Sequence, residues 1–261
     1  MKLNNHNDYW QYRLSDSIYN KSTAELEKKL LKLYKQANKS IQAEISNLYV
    51  KMINDGGITP SNFFAYGRYV DLMNKVDQQI QLLGRAETKA VQLNLIDAYK
   101  DIYIKTNKGL GINTSWNIIN ENFAKEVVNA NFKGANYSER IWSNKSNLKT
   151  QLEKSITDTV IAGFNKDKAV TVIQNRFNVA FSDADRIVRT ETMRVLNDGQ
   201  RQSYKDNGYE SYEFLAEIDN RTSDICEELN GRIFTFNEAV VGENFPPLHP
   251  NCRSTIIPVI Q

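Results

Sequence analysis

Four of the five prolines, both cysteines and one of the two histidines of this 261-residue chain fall after residue 220. Upstream, some two hundred residues carry a single proline, Pro60. Proline is excluded from helix interiors because it lacks an N–H and clashes with the preceding turn. This asymmetry therefore leaves the upstream part free to be long helices and marks the end as a separately specified module.

The upstream periodicity agrees. Leu26, Leu30, Leu33, Ala37, Ile41, Ile45, Leu48 and Met52 recur at three and four residues, which predicts one face of a long helix within residues 9–50, with Ser22 and Thr23 ahead of its most regular part. Asn54-Asp55-Gly56-Gly57 ends the pattern, and Thr59-Pro60-Ser61 opens a second helical stretch to about Thr106, as the pairing of terminal Gly with initial Pro predicts. The two stretches read as an antiparallel hairpin. Asn107 to Gly111 reads as a linker; its glycines lack the GKS or GKT and the preceding strand of a phosphate loop. Residues 114–133 and 145–164 are helix-like, joined by a link from Gly134 to Ser143. A turn at 163–167, a short helix over Lys168 to Asn178, and a further helix from Ser182 to about Asn207, closed by Gly208, complete the helical body.

From Tyr209 the period changes to two. Tyr209–Ala216, Arg232–Phe236 and Thr255–Val259 have the alternation and aromatic content of strands. Between them lie the turn Asp219-Asn220-Arg221-Thr222, opening a short helix through Cys226, and the tight-turn dipeptide Asn230-Gly231. The fold class is α+β: a mainly helical body, with a long hairpin and further helices, followed by a small mixed β-containing module packed on the last helix. The expected division is 1–110, the N-terminal hairpin region; 111–208, the central helices; and 209–261, the C-terminal module.

Composition narrows the function classes. A chain 41% hydrophobic can bury a sizeable core. It contains no run of eighteen apolar residues for a membrane helix, and MKLNNHNDYWQYR lacks a signal peptide's apolar stretch, so the expected site of synthesis is a cytoplasm, with no membrane partner. Two cysteines exclude a disulfide framework. Residues 209–261 carry three basic and nine acidic residues, leaving 30 basic and 22 acidic elsewhere, a division compatible with phosphate contact by the body.

The chemically pointed residues are Cys226, His249 and Cys252. Thiolate and imidazole suit zinc, but a structural zinc site has four ligands and these are three. Asp219, Asp224 or a water would have to complete it, and the second member of a C-x-C pair is here Ser254. Plain packing of two thiols and a structural histidine, a Cys226–Cys252 bridge, and a reactive thiol remain open beside it. An enzyme reading makes His249 a general base, Asp219 or Asp224 its orienter or a metal ligand, and Arg221 or Arg253 the anion holder of a nuclease or hydrolase. Arg189-Thr190-Glu191 sits among apolar residues, so its charges need partners if buried, which Asp219 or Arg221 could supply. The alternative makes Arg189 and Arg194 phosphate ligands.

In order along the chain, RTE on a helix, Tyr204 and Gly208, D-x-R-T-x-x-x-C, L-x-G and P-P-x-H-P-x-C-R resemble the C-terminal domain of the phage Mu F-like minor head proteins, or phage head morphogenesis proteins, over residues 145–261. The family's recurrent polar positions fall here on Arg189, Thr190, Glu191, Asp219, Arg221, Thr222, Cys226, Gly231, His249, Cys252 and Arg253. Many relatives end in C-R-C, where this chain has Cys252-Arg253-Ser254. The resemblance implies a low-copy virion component that enters the assembling procapsid from the host cytoplasm and resides inside the head. The implied partners are portal protein, scaffold or major capsid protein, and packaged double-stranded DNA. It brings no catalytic role and no established cofactor. Relatives that carry a toxin or transferase domain place it after this module, where the present sequence stops at Gln261. A DNA-binding ejection protein is a further alternative.

Overall fold

A computed structural model describes residues 14–112, 121–162 and 165–259. Residues 9–13 of the first expected helix, 114–120 of the central one and the Gly163-Phe164 part of the expected turn lie outside the described residues. The elements are α1 (Leu14–Asn54), α2 (Pro60–Phe64), a 3-10 turn (Ala65–Gly67), α3 (Arg68–Gly109), α4 (Glu121–Asn129), α5 (Tyr137–Ile161), α6 (Lys166–Asp206), β1 (Ser211–Leu215), α7 (Asp224–Leu229), β2 (Ile233–Thr235) and β3 (Thr255–Pro258). The architecture is thus mainly helical with a small three-stranded sheet near the C-terminus, the expected α+β class. Among the described residues no helix is long and apolar enough to cross a membrane.

Several boundaries differ from the sequence reading. The two helices expected over 168–207 are one, α6. Ser182, taken for a helix start, instead donates its hydroxyl back to the Asn178 carbonyl at 3.1 Å, a bond that serine makes inside helices. The expected link at 134–143 is already helical from Tyr137. Its signal is Asn136 followed three residues later by Glu139, the spacing of a capping box. The linker expected at Asn107 belongs to α3 as far as Gly109. Conversely, the helix expected to run to 133 stops at Asn129, because Phe132 and Ala135 pair across a turn in which Lys133 and Gly134 have positive φ. The second stretch of the hairpin is broken at Ala65–Gly67 before α3 begins.

The described chain forms two compact units, each assembled from separated segments. One lies within Glu27–Ala90 and Ser138–Asp185 and is built of helices. Leu30, Ala37, Ile41 and Ile45 of α1, Val76, Ile80 and Leu83 of α3, Leu148, Leu152 and Ile156 of α5 and Ile173 and Phe177 of α6 form its apolar interior. Within it a polar triad joins three helices: the Lys145 Nζ donates to Glu87 Oε2 at 2.6 Å and to Tyr34 Oη, and the Tyr34 hydroxyl donates to Glu87 at 2.9 Å. The Tyr34 ring meets Phe177 and Phe181 edge-on. At the α1–α2 corner Thr59 caps α2 through Asn62 N–H, and the Arg68 guanidinium pairs with Asp55 at 2.5 Å.

The other unit lies within Met1–Leu26, Val91–Tyr137 and Arg186–Gln261 and contains the sheet. Strand order is β2-β1-β3, all antiparallel, with Tyr212 opposite Phe234 and Pro258, and Phe214 opposite Ile256. Tyr212 and Phe214, two apart and so on one face, point into the interior. Tyr212 packs with Tyr204, Phe236, Phe245 and Ile256; Phe214 packs with Ala216, Cys226, Leu248 and Cys252. Because Tyr204 lies on α6, the sheet is seated on that helix. Polar ties repeat the contact: Asn197 Nδ2 donates to the Ser254 carbonyl at 3.2 Å, and Thr255 Oγ1 donates to Gln200 Oε1 at 3.0 Å.

Candidate functional site

The three soft ligand types of the sequence converge. Cys226 lies on α7, while His249 and Cys252 lie on the loop before β3, in a turn closed by the Cys252 N–H on the His249 carbonyl at 3.2 Å. Asn251 within that turn takes φ 59°, a left-handed conformation that asparagine tolerates better than most residues. The turn brings an imidazole and a thiol to one side, opposite the thiol of α7. Cys226 Sγ is 3.3 Å from His249 Nε2 and 3.7 Å from Cys252 Sγ, and the three ligand atoms lie within 4.8 Å of one another. Both cysteines are free and buried, and His249 is half-buried. The sulfur separation is far beyond the roughly 2.05 Å of a disulfide, so the Cys226–Cys252 bridge considered from the sequence is not formed.

The histidine tautomer follows from its neighbours. Nδ1 lies 2.9 Å from the Pro250 carbonyl, which can only accept, so Nδ1 carries the proton. Nε2 of the neutral ring then presents its lone pair to Ser223 Oγ at 2.9 Å and to Cys226. The thiols are unequal. Hydrogen bonding with Cys252 and burial push Cys226 up, whereas bonds from Cys226, the Ser254 hydroxyl and backbone N–H groups outweigh burial and push Cys252 down. The first thiolate to form in the pair is therefore Cys252.

Around this cluster the remaining motif residues act as fasteners. Asp219 Oδ1 and Oδ2 accept from Arg253 Nη2 at 2.5 Å and Nη1 at 2.8 Å, and Oδ1 also accepts the Arg221 N–H at 2.8 Å. These donors hold the Asp219 carboxyl well below the usual carboxylate range, Arg253 contributing most. Thr222 Oγ1 donates to the Glu217 carbonyl and accepts from Asp219 N–H, closing the turn. Arg253 also reaches Glu217 Oε1 at 2.9 Å. Asp219 precedes the α7 that carries Cys226, and Arg253 directly follows Cys252. Their ion pair thus clasps the two chain segments that supply the sulfurs. The enzyme reading made Asp219 or Asp224 the orienter of His249 or a metal ligand; the Asp219 carboxylate instead engages Arg253 and Arg221, and a backbone carbonyl orients the imidazole.

The RTE residues lie on the buried side of α6. Thr190 Oγ1 accepts the Asn251 N–H at 3.1 Å, anchoring the turn between His249 and Cys252, and Arg189 is half-buried beside it. Glu191 is buried and pairs with Arg194 at 2.7 Å, so its partner comes from its own helix and not from the Asp219 turn. Arg194 is itself buried; its guanidinium donates to the Val127 and Val128 carbonyls near the end of α4, at 2.8 and 2.9 Å, and lies 3.5 Å from Asp198. A phosphate-ligand role for Arg194 is overturned by these contacts. Asp198 pairs in turn with Arg201, whose guanidinium lies 4.8 Å from the centre of the Phe245 ring. Sequence reasoning missed Ser223, Asp198 and Arg201. The alternating signs of Glu191, Arg194, Asp198 and Arg201 at steps of three and four were the available signal for the last two.

Among curated proteins the chain is similar to the NAD(+)--arginine ADP-ribosyltransferase EFV of Enterococcus faecalis (strain ATCC 700802 / V583), 22% identical over 274 residues that cover 97% of this chain and 55% of that protein. The chain spans about half the length of this relative. No solved structure matches it. Residues 150–257, from the middle of α5 through β3, match the family model described as Phage Mu protein F like protein. This region, which holds the cysteine–histidine cluster, its clasp and the helix beneath them, is what the chain has in common with the phage Mu protein F like family.

Proposed function

We propose that the protein is a minor head protein of a phage: a low-copy component that enters the procapsid near the portal and remains in the virion, with the C-terminal unit as a folded anchor. The observation that carries this reading is how the residues of the family-matched region are used. Thr190 holds the loop of Asn251, Glu191 holds Arg194, and Asp219 holds Arg253. Side chains engaged in fastening a small module suit a building block of an assembly, and the family is one of head morphogenesis. ADP-ribose transfer to arginine is what the name of the enterococcal relative describes, and it stays with that protein. Portal protein is the first partner in this reading, with scaffold or major capsid protein as the second. Co-expression with the portal protein of the same phage followed by size exclusion tests it: co-elution in a defined complex is expected, and separate elution of two folded proteins counts against portal contact.

Association with packaged DNA has its own support in the helical unit. Lys28, Lys32, Lys35 and Lys39 are spaced four, three and four residues apart on α1, which puts them on one helix face, outside the apolar stripe of that helix. Such a row suits a phosphate backbone and reads no sequence. Binding to duplex DNA should weaken steeply with salt. Replacing the four lysines by glutamine should lower the log–log salt slope by about 0.9 for each phosphate that is no longer neutralised. An unchanged slope removes this row from the interface.

A further inference from the structure

We propose that Cys226, His249 and Cys252 bind one zinc ion, with a water completing the tetrahedron beside the Ser223 and Ser254 hydroxyls. This goes beyond the head-protein reading and does not depend on it.

Two of the three separations between ligand atoms match a zinc tetrahedron. Zinc at about 2.3 Å from sulfur and 2.0–2.1 Å from nitrogen sets tetrahedral edges of about 3.8 Å between sulfurs and about 3.5 Å between sulfur and nitrogen. The corresponding separations are 3.7 Å for Cys226 to Cys252 and 3.3 Å for Cys226 to His249 Nε2. The third edge, His249 Nε2 to Cys252 Sγ, lies within 4.8 Å and closes by up to about 1.3 Å toward the tetrahedral value as an ion enters.

The imidazole is also oriented as a zinc ligand. A histidine that ligates metal through one ring nitrogen almost always donates the other N–H to a carbonyl or carboxylate, which fixes tautomer and ring plane. His249 already has this arrangement, with Nδ1–H on the Pro250 carbonyl and the Nε2 lone pair facing Cys226 Sγ. No tautomer change precedes binding.

Hydroxyls adjoin the cluster as well. Ser223 Oγ lies 2.9 Å from Nε2, and the buried Ser254 hydroxyl hydrogen-bonds both sulfurs. Both hydroxyls adjoin the ligand atoms and can hydrogen-bond a zinc-bound water. The surrounding apolar residues Phe214, Ala216 and Leu248 supply a water-poor shell. Beyond it, the Asp219–Arg253 ion pair and the Thr190 bond to Asn251 hold α7 and the His249–Cys252 turn in register.

Loading balances simply: Zn²⁺ replaces the thiol protons of Cys226 and Cys252, the neutral imidazole contributes a lone pair, and two protons leave to solvent. Soft thiolates with an imidazole select zinc over magnesium or calcium, which take oxygen ligands.

The test uses the full chain, purified in reductant without chelator. Elemental analysis should give one zinc per chain. After zinc removal, Co²⁺ titration should give intense tetrahedral d–d bands and a thiolate-to-cobalt charge-transfer band, saturating at one equivalent and abolished by added Zn²⁺. Cys226→Ser with Cys252→Ser should abolish the charge-transfer band. Ser254→Cys should intensify it and tighten zinc binding against a chelator, as a third thiolate displaces the water. If the double cysteine variant fails to fold, the wild-type cobalt spectrum and the S254C comparison still decide. A zinc-free protein with only the weak spectrum of hexaaqua cobalt, or a Cys226–Cys252 disulfide in the purified chain, overturns the proposal.

Discussion

Asp219 and Arg253 meet across 34 residues of chain in a two-point ion pair, and each adjoins a segment that carries one of the two cysteines. Bidentate pairing of carboxylate with guanidinium fixes orientation as well as distance, which a lysine in place of Arg253 would not do. Asp219→Asn removes one acceptor and the charge. Its folded-state carboxyl is held below its ordinary value, so the wild-type contribution is full above the unfolded value of about 3.9 and is lost as pH falls from there toward the folded value. Thermal melts should accordingly show D219N less stable than wild type at pH 7, with the gap closing below about pH 4. A constant gap from pH 7 to pH 3 would show that the carboxylate charge is not what holds the turn.

The Arg194 guanidinium ties α6 to the end of α4. Arg194→Ala strands the buried Glu191 carboxylate and two backbone carbonyls, and should cost about 3–5 kcal/mol. Urea midpoints would record it. Replacing Glu191 by Gln in the same chain should recover part of the loss, because the stranded charge is removed; no recovery would place the cost in the α4 carbonyls alone.

In the helical unit, burial lowers the Lys145 ammonium from its usual range while Glu87 opposes that shift. Glu87→Gln leaves the cation buried without its counter-charge, at a cost of about 3–5 kcal/mol near neutral pH. The unfolded lysine titrates near 10.4, so between the lowered folded value and that figure the unfolded state binds more protons and stability rises with pH. E87Q should therefore regain stability between pH 7 and 10, over a wider window than wild type. A flat profile in denaturant titrations would mean that Lys145 has found water. Glu87→Leu with Lys145→Met should lose far less than E87Q alone.

Gly199 marks a close approach within the sheet-bearing unit. A Cβ there would stand 2.5 Å from Ile102 Cγ2 and 3.2 Å from the Tyr99 carbonyl, and the second is backbone. Gly199→Ala should cost about 1–3 kcal/mol through forced separation of the two helices. Gly208, at φ 80° with nothing nearby, should cost about 1–2 kcal/mol as alanine through backbone strain alone. Accessibility of the buried Cys226 and Cys252 thiols would separate the mechanisms. If G199A leaves stability unchanged, the approach of α3 to α6 is looser than these distances state.

The helices and strands were legible because each rests on local pattern. The alternation at Tyr212 and Phe214 and the aromatic run at Phe234 and Phe236 place β1 and β2 directly. Ser182 misled because a serine hydroxyl looks the same in sequence whether it caps a new helix or bonds four residues back within an old one. The convergence of Cys226 with His249 and Cys252 was a question that spacing alone left open, since twenty-odd residues of loop and strand could return anywhere. The partners of Asp219 and Arg194 were invisible for the same reason: Arg253 and the α4 carbonyls are distant in sequence, and a single chain records no pairing across such gaps. The helix-spaced Glu191–Arg194 pair, by contrast, was readable from position.

The proposed incorporation into phage heads is tested most directly by the protein's absolute abundance, by quantitative mass spectrometry, in purified procapsids and mature particles of a phage that carries its gene. The chain is expected in both, at far fewer copies than the major capsid protein and in constant ratio to the portal. Its absence from both kinds of particle, while it accumulates as folded protein in the infected cell, would contradict a role as a head component.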